Sequence, residues 1–190
     1  MQHPVIALCD ANVLYPAALR DLFVRLSLAG LVAFRCTDRI HEEWMRNVIQ
    51  NYPDITREKV ERVRDLMNLA IPSGMVTGYE DLIDSLTLPD PDDRHVLAAA
   101  IRANAEVIIT FNLKDFPATV LASNNIEAQH PDEFLVSLFM AAPGPVCGAV
   151  KRQREGLRNP PKSAVELLAT LESQGLVQTV SQLRQFAGLL

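Results

Sequence analysis

The chain has 190 residues, 48% apolar and 22% charged, the balance of an ordinary globular protein with one domain, or one domain and an appendage. Eighteen Lys and Arg against 23 Asp and Glu leave a net charge of −5, which argues against sequence-independent nucleic-acid binding by the whole surface. Three scattered cysteines exclude a disulfide framework or a Cys-rich zinc site, and no apolar run approaches the roughly 18 residues of a bilayer crossing, so a cytoplasmic protein without membrane contact is expected.

From the N-terminus, two segment types alternate for most of the chain. Short β-branched or apolar runs predict buried strands at Val5–Leu8, Val32–Phe34 and Val107–Thr110, with a weaker one at Ile126–Ala128. Helical periodicity fills the gaps. Leu19, Leu22, Phe23, Leu26 and Leu28 mark a first helix that Gly30 stops, and Asp38–Ile49 a second. Arg57–Ile71 is a third, with Val60, Val63, Leu66, Met67 and Ala70 on one stripe. Asp92–Asn104 and Pro131–Ala141 are the fourth and fifth. Strands that are apolar throughout, each followed by helices, predict an α/β fold whose central parallel sheet is covered on both faces.

The pattern changes at Ala142-Pro143-Gly144-Pro145. No strand signal follows, and Lys162–Gln174 and Thr179–Leu190 read as helices. Residues 1–142 are therefore expected to form the α/β body, and 143–190 a helical appendage too small to be stable alone. Between the two, Lys151–Lys162 carries five basic residues and one acidic, a local excess of positive charge.

In an open parallel sheet, ligands bind outside the carboxyl ends of the strands. Acidic residues fall at that edge. Asp10 follows the first strand, Asp90, Asp92 and Asp93 crowd the start of the fourth helix, and Asp115 lies just beyond the strand ending at Thr110. Glu42 and Glu43 sit within the second helix, about 100° apart, so only one can face the site. Each has a structural explanation alone: turns for Asp10 and Asp115, a helix start for Asp90-Pro91-Asp92-Asp93, a solvated face for the glutamates. If three carboxylates converged within about 4 Å, each pair would cost roughly 4 kcal/mol at an effective dielectric of 20. Such a cluster needs protons or a cation, and oxygen donors select a hard one, Mg²⁺ or Mn²⁺.

Four motifs in order resemble the PIN-domain family of small metal-dependent nucleases. They are Asp10-Ala11-Asn12-Val13-Leu14, then Glu43, then Asp93-Arg94-His95-Val96-Leu97-Ala98-Ala99-Ala100, then Thr110-Phe111-Asn112-Leu113-Lys114-Asp115-Phe116. The resemblance covers residues 4–141, and within the family it is strongest to the VapC-like toxins of toxin–antitoxin pairs. It implies a Mg²⁺-dependent endoribonuclease (Mn²⁺ substituting) that is inhibited by a VapB-type antitoxin, with a homodimer as a further candidate partnership. It also implies that Asp10, Glu43, Asp93 and Asp115 are the catalytic and metal-binding acids, with Asn12, Thr110 and Asn112 supporting them. Asn112 stands where the family often has Asp, which puts a second tightly held metal in doubt. An attacking water would leave a 5′-phosphate. RNA contacts are expected from Arg20, Arg39, Lys151, Arg152, Arg154 and Arg158, and His95 reads as an RNA contact or a partly buried histidine rather than a catalytic group. The alternative is a catalytically silent PIN-fold regulator that binds RNA or protein; a receiver-type phosphoacceptor is disfavoured because Asp10 stands alone after its strand.

Overall fold

Four short parallel strands form the centre of the molecule in a computed structural model that describes residues 3–190. They are β1 (Val5–Cys9), β2 (Val32–Arg35), β3 (Val107–Ile109) and β4 (Glu127–Gln129), in the order β2-β1-β3-β4. Val5 pairs with Val32, Ala7 with Val107, and Val107 with Glu127. Leu8 and Ile108 are wholly buried, as a sheet covered on both faces requires. β4 begins one residue after the expected start, because the Ile126 N–H donates to the Leu121 carbonyl and belongs to the preceding turn. It also lies at the edge of the sheet, so its apolar signal is weak.

The helices are α1 (Ala11–Leu14), α2 (Ala17–Leu28), α3 (Asp38–Asn51), α4 (Arg57–Ala70), α5 (Glu80–Ile83) and α6 (Arg94–Arg102). After β3 come α7 (Ala118–Leu121), α8 (Pro131–Ala141), α9 (Pro143–Gly156), α10 (Ala164–Ser173) and α11 (Val177–Arg184). Gly30 ends the first crossover with φ +70, a conformation that glycine adopts without a Cβ penalty. Thr37 starts α3, its hydroxyl accepting the Ile40 N–H at 3.1 Å. Asp90 opens the turn Pro91–Asp93 ahead of α6, accepting the Asp92 N–H at 2.9 Å, with Pro91 at the first position. α1, α5 and α7 are four residues each, too short to announce themselves by periodicity.

The strand order places the topological switch between β1 and β3, whose connections leave the sheet in opposite directions. A crevice therefore opens at their carboxyl ends, where Asp10 and Thr110 lie.

Residues 143–190 add three helices that pack on the body. α9, which the sequence shows only as a basic stretch between proline and glycine, lies against α2, and α11 lies against α8. Val146, Val150, Leu168, Leu171, Val180 and Leu183 join the same buried cluster as the sheet residues. Ser163 and Glu166 form a capping box at α10. The tie to α11 is polar: the Asp132 carboxylate, 4% exposed, accepts the N–H groups of Gln178 and Thr179 at 2.8 Å and the Thr179 hydroxyl at 2.7 Å. Removing that carboxylate leaves buried donors of a helix start unsatisfied. Asp132→Ala is expected to cost about 2 kcal/mol, a drop of roughly 4–8 °C in melting temperature for a chain of this size, read by thermal unfolding. An unchanged melting temperature would show that the cap contributes nothing to docking the C-terminal helices.

Candidate active site

The crevice at the ends of β1 and β3 is lined by carboxylates from four separate elements. Asp10 ends β1 and caps α1; it is 6% exposed. One oxygen accepts the Ala11 N–H at 2.6 Å. The other accepts the Asn12 amide at 2.6 Å and the Thr110 hydroxyl at 2.8 Å. The Asn12 carbonyl in turn accepts the Phe111 N–H at 3.1 Å, so one amide joins the β1 and β3 ends and fixes the Asp10 rotamer. Burial raises the Asp10 carboxyl above its ordinary value against the hydrogen bonds from Thr110 and Ala11, and the Glu43 charge adds to the rise.

The two glutamates of α3 part company. Glu42 faces outward, paired with Arg57 at 2.8 Å. Glu43 faces the crevice, where one oxygen meets His95 Nε2 at 3.0 Å and Arg39 Nε at 3.4 Å. Burial acts to raise the Glu43 carboxyl, but the hydrogen bond from His95, with Arg39, outweighs it and holds it below the usual range.

Asp93 stands at the N-terminus of α6, and its side chain makes no capping hydrogen bond. It is pushed up to about 6, by burial first and then by the charges of Asp10, Asp90 and Asp115, with His95 pulling the other way. Asp115 closes the turn Leu113–Asp115 and accepts a short hydrogen bond from the Asn112 amide, while the Asn112 N–H donates to the Thr110 hydroxyl at 3.0 Å. Asp10 therefore interacts with Glu43 and Asp93, and Asp93 with Asp115, across one electrostatic cluster.

The donor set suits a hard divalent cation in chemistry and charge: oxygen donors among which burial first, and then the neighbouring charges, favour a proton on Asp93. Among the described residues no three His, Cys, Asp or Glu side chains close into a cage of metal-binding spacing. Mg²⁺ does not require one, since it usually keeps several waters and binds through one or two carboxylates.

The expected RNA contacts fall into three groups. Arg39, 45% exposed, lies at the carboxylates, bridging Glu43 and the Asp92 carbonyl. Lys151, Arg152 and Arg158 are exposed, on α9 and just beyond it; Arg154 is half-buried, its Nε sealed without a partner. Arg20 and His95 need correction. The Arg20 guanidinium lies 4.2 Å from the centre of the Trp44 ring and donates to the carbonyls of Leu14 and Tyr15, so it holds α2 to α1 and α3. His95 is 2% exposed, too deep to meet a polynucleotide. Its pairing with Glu43 was missed because the two are 52 positions apart in sequence. A signal existed in the spacing: two residues past Asp93, His95 lies in the first turn of the helix that Asp93 opens.

A family model described as "PIN domain" matches residues 7–114, and one described as "VapC50 C-terminal domain" matches residues 131–185. The second begins at Pro131, upstream of the division expected at 142. A protein of Mycobacterium tuberculosis (strain ATCC 25618 / H37Rv) named "Putative ribonuclease VapC50" is 51% identical over 69 residues, 34% of this chain. That match spans 40% of the relative's length. No solved structure matches the chain.

A carboxyl raised from 3.8 to about 6 keeps its proton in the folded chain at pH values where the unfolded chain has released it. Stability therefore falls as pH rises through that window, and the penalty is complete above it. Two units correspond to roughly 3 kcal/mol in full, reduced to about 1 kcal/mol by solvent screening of this half-exposed side chain. Asp93→Asn is expected to gain about 1 kcal/mol over the parent in EDTA at roughly pH 7.5 and nothing near pH 4, read by urea unfolding. Equal stabilities at the higher pH would mean that folding does not raise the Asp93 carboxyl.

Proposed function

The chain belongs to the PIN-domain family, and from that membership together with the carboxylate cluster we propose that it is a Mg²⁺-dependent endoribonuclease acting as the toxin of a toxin–antitoxin pair. The observation that carries this reading is the electrostatic coupling of Asp10 to Glu43 and Asp93, and of Asp93 to Asp115, at the sheet's switch point, with Asp93 pushed up to about 6 by burial first and then by its neighbours' charges. The relative's name, a ribonuclease of the VapC type, supports the choice of RNA and of a VapB-type antitoxin as the inhibitor.

When bound among Asp10, Glu43, Asp93 and Asp115, Mg²⁺ (or Mn²⁺ in its place) supplies Lewis acidity toward a phosphodiester and makes water a stronger nucleophile. The chain's own groups do the positioning. Asn12 and Thr110 hold Asp10 in one rotamer, and Asn112 holds Asp115. Arg39, charged and accessible beside Glu43, is the cation placed to take a backbone phosphate. Lys151, Arg152 and Arg158 offer further exposed charge on α9 and just beyond it. Water as nucleophile leaves 5′-phosphate and 3′-hydroxyl ends. No helix among the described residues is long and apolar enough to cross a membrane, in keeping with a cytoplasmic site of action.

Asp93→Asn tests the site more cleanly than Asp10→Asn. Both Asp10 oxygens accept hydrogen bonds, so an amide there would turn a donor toward donors. Purified protein with total RNA is expected to cleave in Mg²⁺, to stop in EDTA, and to recover with Mn²⁺. Asp93→Asn is expected to lose more than about 100-fold in rate while keeping its fold, since even supporting residues around a metal contribute 10–100-fold. Undiminished cleavage in EDTA, or by the folded Asp93→Asn protein, would overturn the proposal.

A further inference from the structure

The buried imidazole of His95 has contacts that ask for a role. It lies on the first turn of α6, directly behind the residue that opens the helix, and reaches α3 to meet Glu43. At 2% exposure it is screened from solvent. Its Nε2 lies 3.0 Å from Glu43 Oε1, while its Nδ1 is sealed with no hydrogen-bond partner among the described residues.

The two nitrogens thus differ in kind. A ring N–H buried without an acceptor forfeits a hydrogen bond it would make in water, whereas a bare ring nitrogen carries only a weaker acceptor's loss. The arrangement of least cost puts the proton on Nε2, where Glu43 accepts it, and leaves Nδ1 bare. In this tautomer the imidazole has one N–H, and it lies against one carboxylate oxygen at 3.0 Å. The contacts with His95 and Arg39 both fall on Oε1.

We propose that His95 is the positioning residue for Glu43: its Nε2–H fixes the glutamate rotamer on the crevice side of α3. Glu43 needs such a partner more than the other acids do. Asp10 and Asp115 have short side chains, Asp10 tied by Asn12 and, across the sheet end, by Thr110, and Asp115 by Asn112 within its own turn. Glu43 has an additional rotatable bond and projects from mid-helix, and its other contact, Arg39, is 45% exposed and 3.4 Å away. Holding a long side chain in one rotamer costs conformational entropy that a rigid, buried donor offsets in advance.

This inference rests on the reading of Glu43 as a metal-site acid, so its test has arms that separate the two. Two-bond ¹H–¹⁵N correlation spectra report the His95 tautomer directly, with assignment by loss of the signal in His95→Gln. A bare Nδ1 and a protonated Nε2 whose shift moves in Glu43→Gln are expected, and a proton on Nδ1 would overturn the proposal whatever the enzyme does. Mn²⁺ titration by calorimetry gives the second arm. His95→Leu removes the donor at similar volume and is expected to weaken Mn²⁺ binding about 10–100-fold. His95→Gln, whose amide N–H can occupy the Nε2 position, is expected to restore most of the affinity. In a Glu43→Gln background the His95→Leu loss is expected to vanish, since the two act through one contact. A His95→Leu loss of equal size without Glu43, or none with it, would overturn the proposal. If the parent protein binds no Mn²⁺, the metal-site reading fails, and the tautomer measurement alone decides the His95–Glu43 bond.

Discussion

The burial of like-charged carboxylates beside one another at the end of a sheet is the constraint around which this molecule is arranged. Asp10, Asp93 and Asp115 come from positions far apart in sequence and are brought to one crevice by the burial of β1 and β3. Nothing in the hydrophobic core would be lost if they were neutral. The fold nonetheless holds Asp93 where its carboxyl is pushed to about 6. A group kept in an unfavourable charge environment, in a crevice at a topological switch, is the physical mark of a functional site.

The neighbouring residues limit that repulsion without abolishing it. Asp10 receives three donors, from Ala11, Asn12 and Thr110, and Glu43 is held below the usual carboxylate range by His95 and Arg39. These groups stabilise negative charge at the edges of the cluster. Asp93, nearer its middle, makes no capping hydrogen bond. A divalent cation would find one acid pre-oriented by donors, another braced by an imidazole, and a third whose proton it displaces readily. That gradation is more informative than the count of acids, because a solvated helix face would treat all of them alike.

Much of this was legible in the sequence, and the limits of legibility have physical causes. β1 and β3 are buried on both faces, so Val5–Leu8 and Val107–Thr110 stand out as apolar runs, and their ends fixed the expected positions of Asp10 and Thr110. Pro91 and Asp90 announced the helix start that carries Asp93. Spacing also distinguished Glu43 from Glu42 in principle, but only the three-dimensional partners, His95 and Arg57, show which one turns inward. Long-range contacts account for the misreadings. His95 and Arg20 carry polar heads that suggest a surface role, while burial against Glu43 and Trp44 gives them internal ones. α9 was hidden because its first turn is Pro-Gly-Pro and its buried stripe, which includes Val146, Cys147, Val150 and Gln153, carries a polar residue whose amide N–H donates to the Ala18 carbonyl of α2 while its Oε1 has no partner among the described residues.

The C-terminal helices, set apart by composition, are tied to the loop that supports the site. The turn between α10 and α11 places Gly175, at φ +97, against the ring of Phe111; a Cβ there would come within 2.9 Å of that ring. Phe111 in turn donates its N–H to Asn12, the residue that orients Asp10, and its ring packs edge-on against His130 at the start of α8. Just ahead of Gly175, Gln174 accepts the Leu19 N–H of α2 at 3.1 Å. One turn of the added segment therefore contacts both the loop after β3 and α2. The positive φ and the close approach both require glycine at that turn. A displacement of α10 and α11 would pass through Phe111 to Asn12 and so to the Asp10 carboxylate, which makes the segment part of the site's support even though it contributes none of the acids.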